Sequence, residues 1–170
     1  MLADTQIEKI FALLHEQPSV QFAYLFGSQA TGRATPMSDV DFALRFQEEL
    51  SARERLKLRL RMMALFSEAL QRNDIDVADL NEADEVLRYQ VLKHGRLIFC
   101  RDKAAQVDFF VRTLREYFDT QPLREFFLEK MKEQIRKGTF VGRTQRYAKA
   151  AEEAARIFGA FKAHRAEPQS

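Results

Sequence analysis

Apolar positions follow two different periods along the first hundred residues. Short apolar runs with β-branched and aromatic residues predict four strands, at residues 20–26, 39–46, 75–80 and 97–100. Apolar residues spaced three and four apart predict helices before and between these strands, at about residues 5–17, 51–72 and 83–93. Ser51 and Glu54 form a capping-box pattern at the start of the second of these helices.

From residue 103 onward the pattern predicts helix alone. Three helices are expected, at about residues 103–119, 122–137 and 143–163, and residues 166–170 are expected to be frayed. Pro122 suits the start of a helix and Gly138 suits the position after its end. The chain is therefore predicted to be an α+β protein, with helices packed on a small mixed β-sheet and a C-terminal helical appendage.

Composition agrees with a folded protein. The 170 residues correspond to one domain or to one domain with an appendage, and 46% hydrophobic residues with 15 phenylalanines can supply a core. No apolar stretch approaches the roughly 18 residues of a transmembrane helix, and the N-terminus does not resemble a signal peptide. Because Cys100 is alone it has no intrachain disulfide partner, which fits a reducing compartment. These features predict a soluble cytoplasmic protein without a membrane partner.

Charge is distributed unevenly, although the net charge is only +2. Residues 1–100 are net acidic and residues 101–170 are net basic. An acidic part that can hold metal and a basic helical part suggest two separate tasks. The alternative is that the helical surface is simply rich in lysine and arginine.

The most informative motif is a Gly-Ser pair followed, ten residues later, by Asp-x-Asp. Asp39 and Asp41 alternate with Val40 along a predicted strand, so their side chains point the same way at a spacing of about 6–7 Å. Two adjacent carboxylates repel each other, and a bound divalent cation removes that conflict. Oxygen ligands without a histidine or cysteine cluster favour Mg²⁺, with Mn²⁺ as an alternative.

A third carboxylate is expected from a neighbouring strand. The candidates are Asp74, Asp76 and Asp79. Asp74 and Asp76 share one face of a regular strand, whereas Asp79 lies on the other. We favour Asp76, because Ile75 and Val77 place it within the strand, and we keep Asp74 as the alternative.

These residue types suit nucleotidyl transfer. Gly27 has no Cβ, so the backbone can approach a triphosphate closely, and Ser28 can donate from its hydroxyl and N–H to the β- and γ-phosphates. Cations held by the three carboxylates would support an in-line displacement that releases pyrophosphate. Asp76 could also accept the proton of the attacking hydroxyl.

The motif Gly27-Ser28-x10-Asp39-x-Asp41, with the later segment Asp76-Val-Ala-Asp-Leu, resembles the nucleotidyltransferase superfamily that includes DNA polymerase β. The segment YLFGSQATGRATPMSDVDFAL resembles the smallest branch of this superfamily, the minimal nucleotidyltransferases (MNT). Within that branch the chain is similar to the MntA-type antitoxins, which are paired with HEPN-domain ribonuclease toxins. The similarity extends to about residue 100, and the segment VRTLREYFD shows a weaker similarity.

This resemblance implies an enzyme that uses ATP and Mg²⁺ to attach AMP to a tyrosine of its HEPN toxin partner. By position it assigns Gly27 and Ser28 to nucleotide binding, and Asp39, Asp41 and Asp76 to metal binding and catalysis. It implies an MNT domain over residues 1–102 and a partner-binding extension over residues 103–165. Residues after about 138 extend beyond what a minimal member needs.

Three alternatives stay open. The chain could transfer a nucleotide to a small molecule such as an aminoglycoside, although the basic C-terminal half suits a cationic substrate poorly. It could also be a non-catalytic antitoxin that blocks its partner by occlusion. Binding of nucleic acid through the C-terminal helices would show an affinity that falls steeply with salt, but we do not expect nucleic acid among its partners.

Overall fold

The computed structural model describes residues 2–35 and 37–137. The chain divides into two compact units, Met1–Pro122 and Leu123–Ser170. The elements are α1 (Asp4–His15), β1 (Val20–Phe26), α2 (Gly27–Thr31), β2 (Val40–Phe46), α3 (Ala52–Leu70), β3 (Ile75–Asp79), α4 (Glu85–His94), β4 (Arg96–Cys100) and α5 (Lys103–Arg136).

The four strands form one mixed sheet in the order β3-β2-β1-β4. β1 is antiparallel to both β2 and β4, whereas β2 and β3 are parallel. The parallel pair requires a long crossover connection, which α3 provides. The predicted α+β fold with a small mixed sheet is therefore confirmed.

Apolar layers cover both faces of the sheet. One layer packs the sheet against α1 and α3, and its central members are Ile10, Leu14, Phe42, Leu44, Met62 and Phe66. The other lies under α4 and the first part of α5, and consists of Phe22, Tyr24, Ala43, Leu80, Val91 and Phe109. Since both faces are buried, β1 and β2 carry nearly continuous apolar runs rather than a strict alternation.

Side chains of β2 alternate between these layers, and this alternation positions the polar residues. Val40, Phe42 and Leu44 enter the layer under α1 and α3. Asp41 and Arg45 therefore lie on the opposite face, with Ala43 between them. That face carries the candidate active site.

The predicted capping box at the start of α3 is confirmed. The Ser51 hydroxyl accepts a hydrogen bond from the backbone N–H of Glu54, and the Glu54 carboxylate accepts one from the backbone N–H of Ser51 at 2.9 Å. This reciprocal pair satisfies two N–H groups that the first turn leaves without helical partners.

The predicted break between two helices at residues 119–122 is wrong. α5 is one helix over Lys103–Arg136, and Pro122 lies inside it. A proline removes one N–H and crowds the carbonyl one turn earlier, but the flanking residues are good helix formers and the helix continues. The helix predicted at residues 143–163 and the tail at 166–170 lie outside the described residues. Among the described helices, none combines the length and apolarity that crossing a bilayer requires.

Candidate active site

Strand β1 passes directly into helix α2 at Gly27, and this turn contacts the acidic end of β2. Gly27 has φ +69°, a conformation that side chains disfavour. A Cβ at this position would lie 2.2 Å from the Asp41 Oδ2 atom. The contact arises because Phe26, the last residue of β1, pairs with Asp41 across the antiparallel ladder. The two halves of the Gly-Ser and Asp-x-Asp motif therefore touch, and glycine is required where they meet.

Ser28 lies in the first turn of α2, next to this contact. Its backbone carbonyl accepts a hydrogen bond from the backbone N–H of Arg33 at 3.1 Å. Within residues 2–35 and 37–137, its hydroxyl makes no hydrogen bond. The hydroxyl can therefore donate to a ligand that approaches the Gly27 turn.

Asp41 and Asp76 are neighbours across the parallel strands β2 and β3. The register pairs their Cα atoms directly, and adjacent strands lie about 4.8 Å apart. Asp41 is half-buried, whereas Asp76 is exposed. One Asp76 oxygen, Oδ1, accepts a hydrogen bond from the backbone N–H of Val77 at 2.8 Å. Its other oxygen remains available to a substrate.

The three predicted carboxylates share one electrostatic environment. Burial raises the pKa of Asp41, and the nearby carboxylates of Asp76 and Asp39 raise it further. Asp39 is exposed and immediately precedes β2. In the part of the chain that the structure describes, no three His, Cys, Asp or Glu side chains are arranged as a metal cluster. The structure thus brings Asp41 and Asp76 side by side and places Asp39 within their electrostatic reach.

Asp74, the alternative third carboxylate, is engaged elsewhere. Its side chain forms an ion pair with Arg72, whose Nε donates to Asp74 Oδ1 at 2.7 Å. This pairing lowers the pKa of Asp74. Arg72 also donates to the backbone carbonyl of Ser38 at 2.8 Å, and the backbone N–H of Val40 donates to the Asp74 carbonyl at 2.9 Å. These bonds hold the segment that carries Asp39, and we call them the Arg72 clamp.

Sequence reasoning did not single out Arg72. It follows a helix that already contains several basic residues, so no pattern in the chain distinguishes it. The only local signal is the Arg-x-Asp spacing just before β3.

Asp79 lies on the opposite face of β3, as its position in the strand predicts. It is 8% exposed and accepts hydrogen bonds from Arg55 Nε at 3.1 Å and from the backbone N–H of Asn81 at 2.8 Å. This buried ion pair ties α3 to the end of β3, away from Asp41.

The chemistry of the donor set suits a divalent cation. All donors are carboxylate oxygens, which Mg²⁺ and Mn²⁺ prefer. The raised pKa of Asp41 reflects a local excess of negative charge that a cation would neutralise.

Comparisons with known proteins agree with this geometry. A family model described as "Polymerase beta, Nucleotidyltransferase" matches residues 8–104. Protein adenylyltransferase MntA of Shewanella oneidensis is 29% identical over 122 residues, which are 71% of this chain and 84% of that protein.

Solved structures give the same result. One chain of a toxin–antitoxin crystal structure with AMP-PNP matches with a TM-score of 0.62 and 27% identity, covering 77% of this chain and 99% of that one. A structure of a tri-AMPylated Shewanella oneidensis HEPN toxin in complex with MNT antitoxin matches with a TM-score of 0.59 and 26% identity. That match covers 76% of this chain and 98% of the other.

Proposed function

The chain belongs to the polymerase β-type nucleotidyltransferase family, and on this basis we propose that it transfers AMP from ATP to a hydroxyl of a HEPN ribonuclease toxin, for which it is the antitoxin. The acceptor in this proposal is a tyrosine of the toxin. The observation that carries the proposal is the packing of the Gly27 turn against Asp41, with Asp76 in register beside it. The proposed site of the AMP donor, ATP, therefore adjoins a pair of carboxylates.

ATP is proposed to bind at the Gly27 turn. Because Gly27 has no side chain, the Asp41 carboxylate can pack against this turn, beside the proposed triphosphate site. Ser28 donates to the β- and γ-phosphates from its hydroxyl and its backbone N–H. The similarity to a toxin–antitoxin structure that was solved with AMP-PNP supports ATP as the nucleotide.

Asp39, Asp41 and Asp76 are the proposed ligands of Mg²⁺, with Mn²⁺ as an alternative. When bound, the metal offsets the charge of the triphosphate and acidifies the attacking hydroxyl. Asp41 contacts the Gly27 turn and Asp39 precedes Asp41 by two residues on the same segment, so we assign both to the nucleotide side. Asp76 lies on the far side of Asp41 from that turn, on the next strand, and so faces the acceptor.

The transfer is a single displacement at the α-phosphorus of ATP. The acceptor oxygen forms a bond to phosphorus while the bond to the bridging oxygen breaks, and pyrophosphate leaves with that electron pair. The free carboxylate oxygen of Asp76 accepts the hydroxyl proton. Exposure of Asp76 allows a tyrosine on another protein to reach it.

The proposed partner is a HEPN ribonuclease toxin. Support comes from the similarity to an MNT antitoxin in complex with an AMPylated HEPN toxin. We propose that residues 1–102 form the transferase domain and that residues 103–165 form the extension that binds the toxin. Since the reaction consumes ATP, we propose the cytoplasm as its compartment.

The test is a transfer assay with purified protein, ATP, Mg²⁺ and the HEPN toxin encoded beside it, read by intact-mass spectrometry. We expect the toxin to gain the mass of one or more AMP groups. The double variant Asp39→Asn with Asp41→Asn should lower the rate by at least about a hundredfold. Glu8→Gln, which removes an exposed carboxylate from α1, away from the site and from the proposed toxin-binding extension, is the matched control and should transfer normally.

Two outcomes would contradict the proposal. Absence of any adduct on the toxin would exclude protein adenylylation. Full neutralisation of the toxin by the Asp39→Asn, Asp41→Asn double variant, at equal abundance, would show that occlusion rather than catalysis is the mechanism.

A further inference from the structure

An open pocket of about 410 Å³ lies on the same face of the sheet as Asp41, toward the other end of β2. Its charged lining consists of four arginines and two glutamates, Arg45, Arg55, Arg88, Arg112, Glu48 and Glu116. Arg45 follows Asp41 by four residues on β2, so their Cα atoms are about 13 Å apart. The pocket is therefore separate from the candidate active site.

The central residue of the pocket is Arg45, a buried cation with one charged partner. It is 6% exposed, and its guanidinium lies 5.4 Å from the centre of the Phe109 ring. It donates to Glu48 at 2.5 Å. No nitrogen of Arg45 is both fully buried and without a partner. Its remaining donors therefore open toward the pocket, where a ligand can reach them.

Arg55 is already satisfied by protein groups. It donates to Asp79 at 3.1 Å, to Glu82 at 2.9 Å and to the backbone carbonyl of Leu50 at 2.7 Å. Two carboxylates thus neutralise it. Its role is to hold α3 against the end of β3 rather than to bind a ligand.

The other three arginines share only two carboxylates. Arg45 and Arg112 both contact Glu48, at 2.5 Å and 3.4 Å, and Arg88 contacts Glu116 at 2.5 Å. Arg55 has two carboxylates to itself, so the cluster is balanced as a whole, but Arg45, Arg88 and Arg112 are paired with fewer carboxylates than there are guanidinium groups. The neighbouring groove along α5 adds the exposed carboxylates of Glu49 and Asp108 together with Arg115, so the guanidinium groups with the fewest carboxylate partners are those of this pocket.

We propose that this pocket binds a phosphate-bearing small molecule, with its phosphate held by Arg45, Arg88 and Arg112. The planar guanidinium matches two phosphate oxygens at once, and three guanidinium groups that line one pocket suit a multiply charged anion. The pocket volume falls within the range of small-molecule sites, roughly 300–1,000 Å³, and exceeds the need of a lone phosphate. A ligand with a second phosphate or a nucleoside therefore fits the pocket.

Calorimetric titration of the full chain, without divalent cations, tests this proposal with three probes: inorganic phosphate, pyrophosphate and AMP. We expect pyrophosphate or AMP to bind more tightly than inorganic phosphate. Arg112→Gln and Arg88→Gln should each weaken that binding by about tenfold. Arg61→Gln, which removes an exposed arginine from α3, is the matched control and should bind like the wild type.

A second variant changes affinity in the opposite direction. Glu48→Gln removes the carboxylate that competes for Arg45 and Arg112, so the probe should bind severalfold more tightly. If the arginines of this pocket only stabilise the fold, none of the three probes will produce a heat of binding. That result would overturn the proposal. Binding that is equal in Arg112→Gln, Arg88→Gln and wild type would also overturn it, because the probe would then lie elsewhere.

Discussion

At the scale of single residues, Gly27 couples the nucleotide turn to the acidic strand. Gly27→Ala adds a methyl group where Asp41 Oδ2 lies 2.2 Å away, so the carboxylate has to move. We expect the rate of AMP transfer to fall by about a hundredfold, since displacement by about 1 Å has effects of that order. The measurement is the initial rate of toxin modification, with thermal unfolding followed in parallel.

Gly32→Ala is the matched control for that change. Gly32 has a similar φ of +73°, but nothing lies within 4 Å of the Cβ that alanine would add. Both variants should lose about 1–2 kcal/mol of stability from the left-handed backbone. Only Gly27→Ala should also lose AMP-transfer activity. If both variants retained the same activity, the contact between Gly27 and Asp41 would have no catalytic importance.

The sequence was sufficient to identify which residues meet at the turn, but not how they are supported. Spacing within a strand predicted that Asp39 and Asp41 act together and favoured Asp76 over Asp74. The register of β2 and β3 indeed places Asp76 beside Asp41, while Asp74 pairs with Arg72. The functional roles of these residues stay predictions. Arg72 could not be predicted, because its partners are brought to it only by the sheet.

At the scale of elements, the Arg72 clamp joins the end of α3 to the segments that enter β2 and β3. Arg72→Met removes hydrogen bonds to Asp74 and to the Ser38 carbonyl. We expect a loss of about 1.5–3 kcal/mol in the free energy of unfolding. We also expect transfer to slow by roughly tenfold to a hundredfold, because Asp39 is no longer held. Denaturant unfolding and steady-state kinetics measure the two effects.

Two further variants sharpen this prediction. Arg72→Lys keeps the charge but not the planar fork, so it should rescue little of the activity. Arg61→Met changes an exposed arginine of α3 and should leave both quantities near wild type. A stability loss with full activity in Arg72→Met would show that the clamp joins the elements without positioning Asp39.

Most elements could be predicted from local pattern, and the exceptions have physical reasons. Strands buried on both faces leave apolar runs that are visible in the sequence, as in Val20–Phe26. Helix α2 (Gly27–Thr31) has only five residues, too few to leave a helical period in the sequence. The continuity of α5 through Pro122 could not be predicted, because a local rule for proline does not include the helix-forming residues on both sides.

At the scale of the whole molecule, the compact unit Met1–Pro122 includes the first part of α5, which a buried hydrogen bond fastens to the sheet. Gln106 donates from its side-chain nitrogen to the Tyr24 hydroxyl at 2.8 Å. Burial raises the pKa of Tyr24, although the Gln106 hydrogen bond offsets part of this. The folded protein therefore favours the neutral phenol. The resulting stabilisation is complete below about pH 10 and is lost as pH rises through the folded-state pKa.

Tyr24→Phe tests this dependence. At neutral pH it should lower stability by about 1–2 kcal/mol, because Gln106 loses its buried partner. Above about pH 10 its stability should fall less steeply than that of the wild type. Tyr89→Phe is the control, since its ring stacks on Tyr117 and phenylalanine preserves the stack. An identical alkaline slope in Tyr24→Phe and wild type would contradict the prediction.

The division at Pro122 predicts a separation of functions. Residues 1–122 alone should unfold cooperatively, with a Tm within about 5 °C of the full chain, and should still bind ATP. Modification of the toxin should be lost if the later residues bind it, as we propose. A second truncation after Lys137 shows whether the described end of α5 is enough. Retained toxin modification by residues 1–122 would assign partner binding to the compact unit.

The position of β2 between β1 and β3 has a consequence for how toxicity is controlled. β2 carries Asp41, β1 leads to Gly27, and β3 contributes Asp76. If the register of β1–β2 or β2–β3 shifted by one residue, a site carboxylate would point into the apolar core. A copy with such a shift would separate Asp41 from Gly27 or from Asp76, and we expect it to transfer no AMP. Because the proposed AMP group is attached covalently, toxin that is already modified would stay neutralised after the antitoxin is lost, and only newly made toxin would escape.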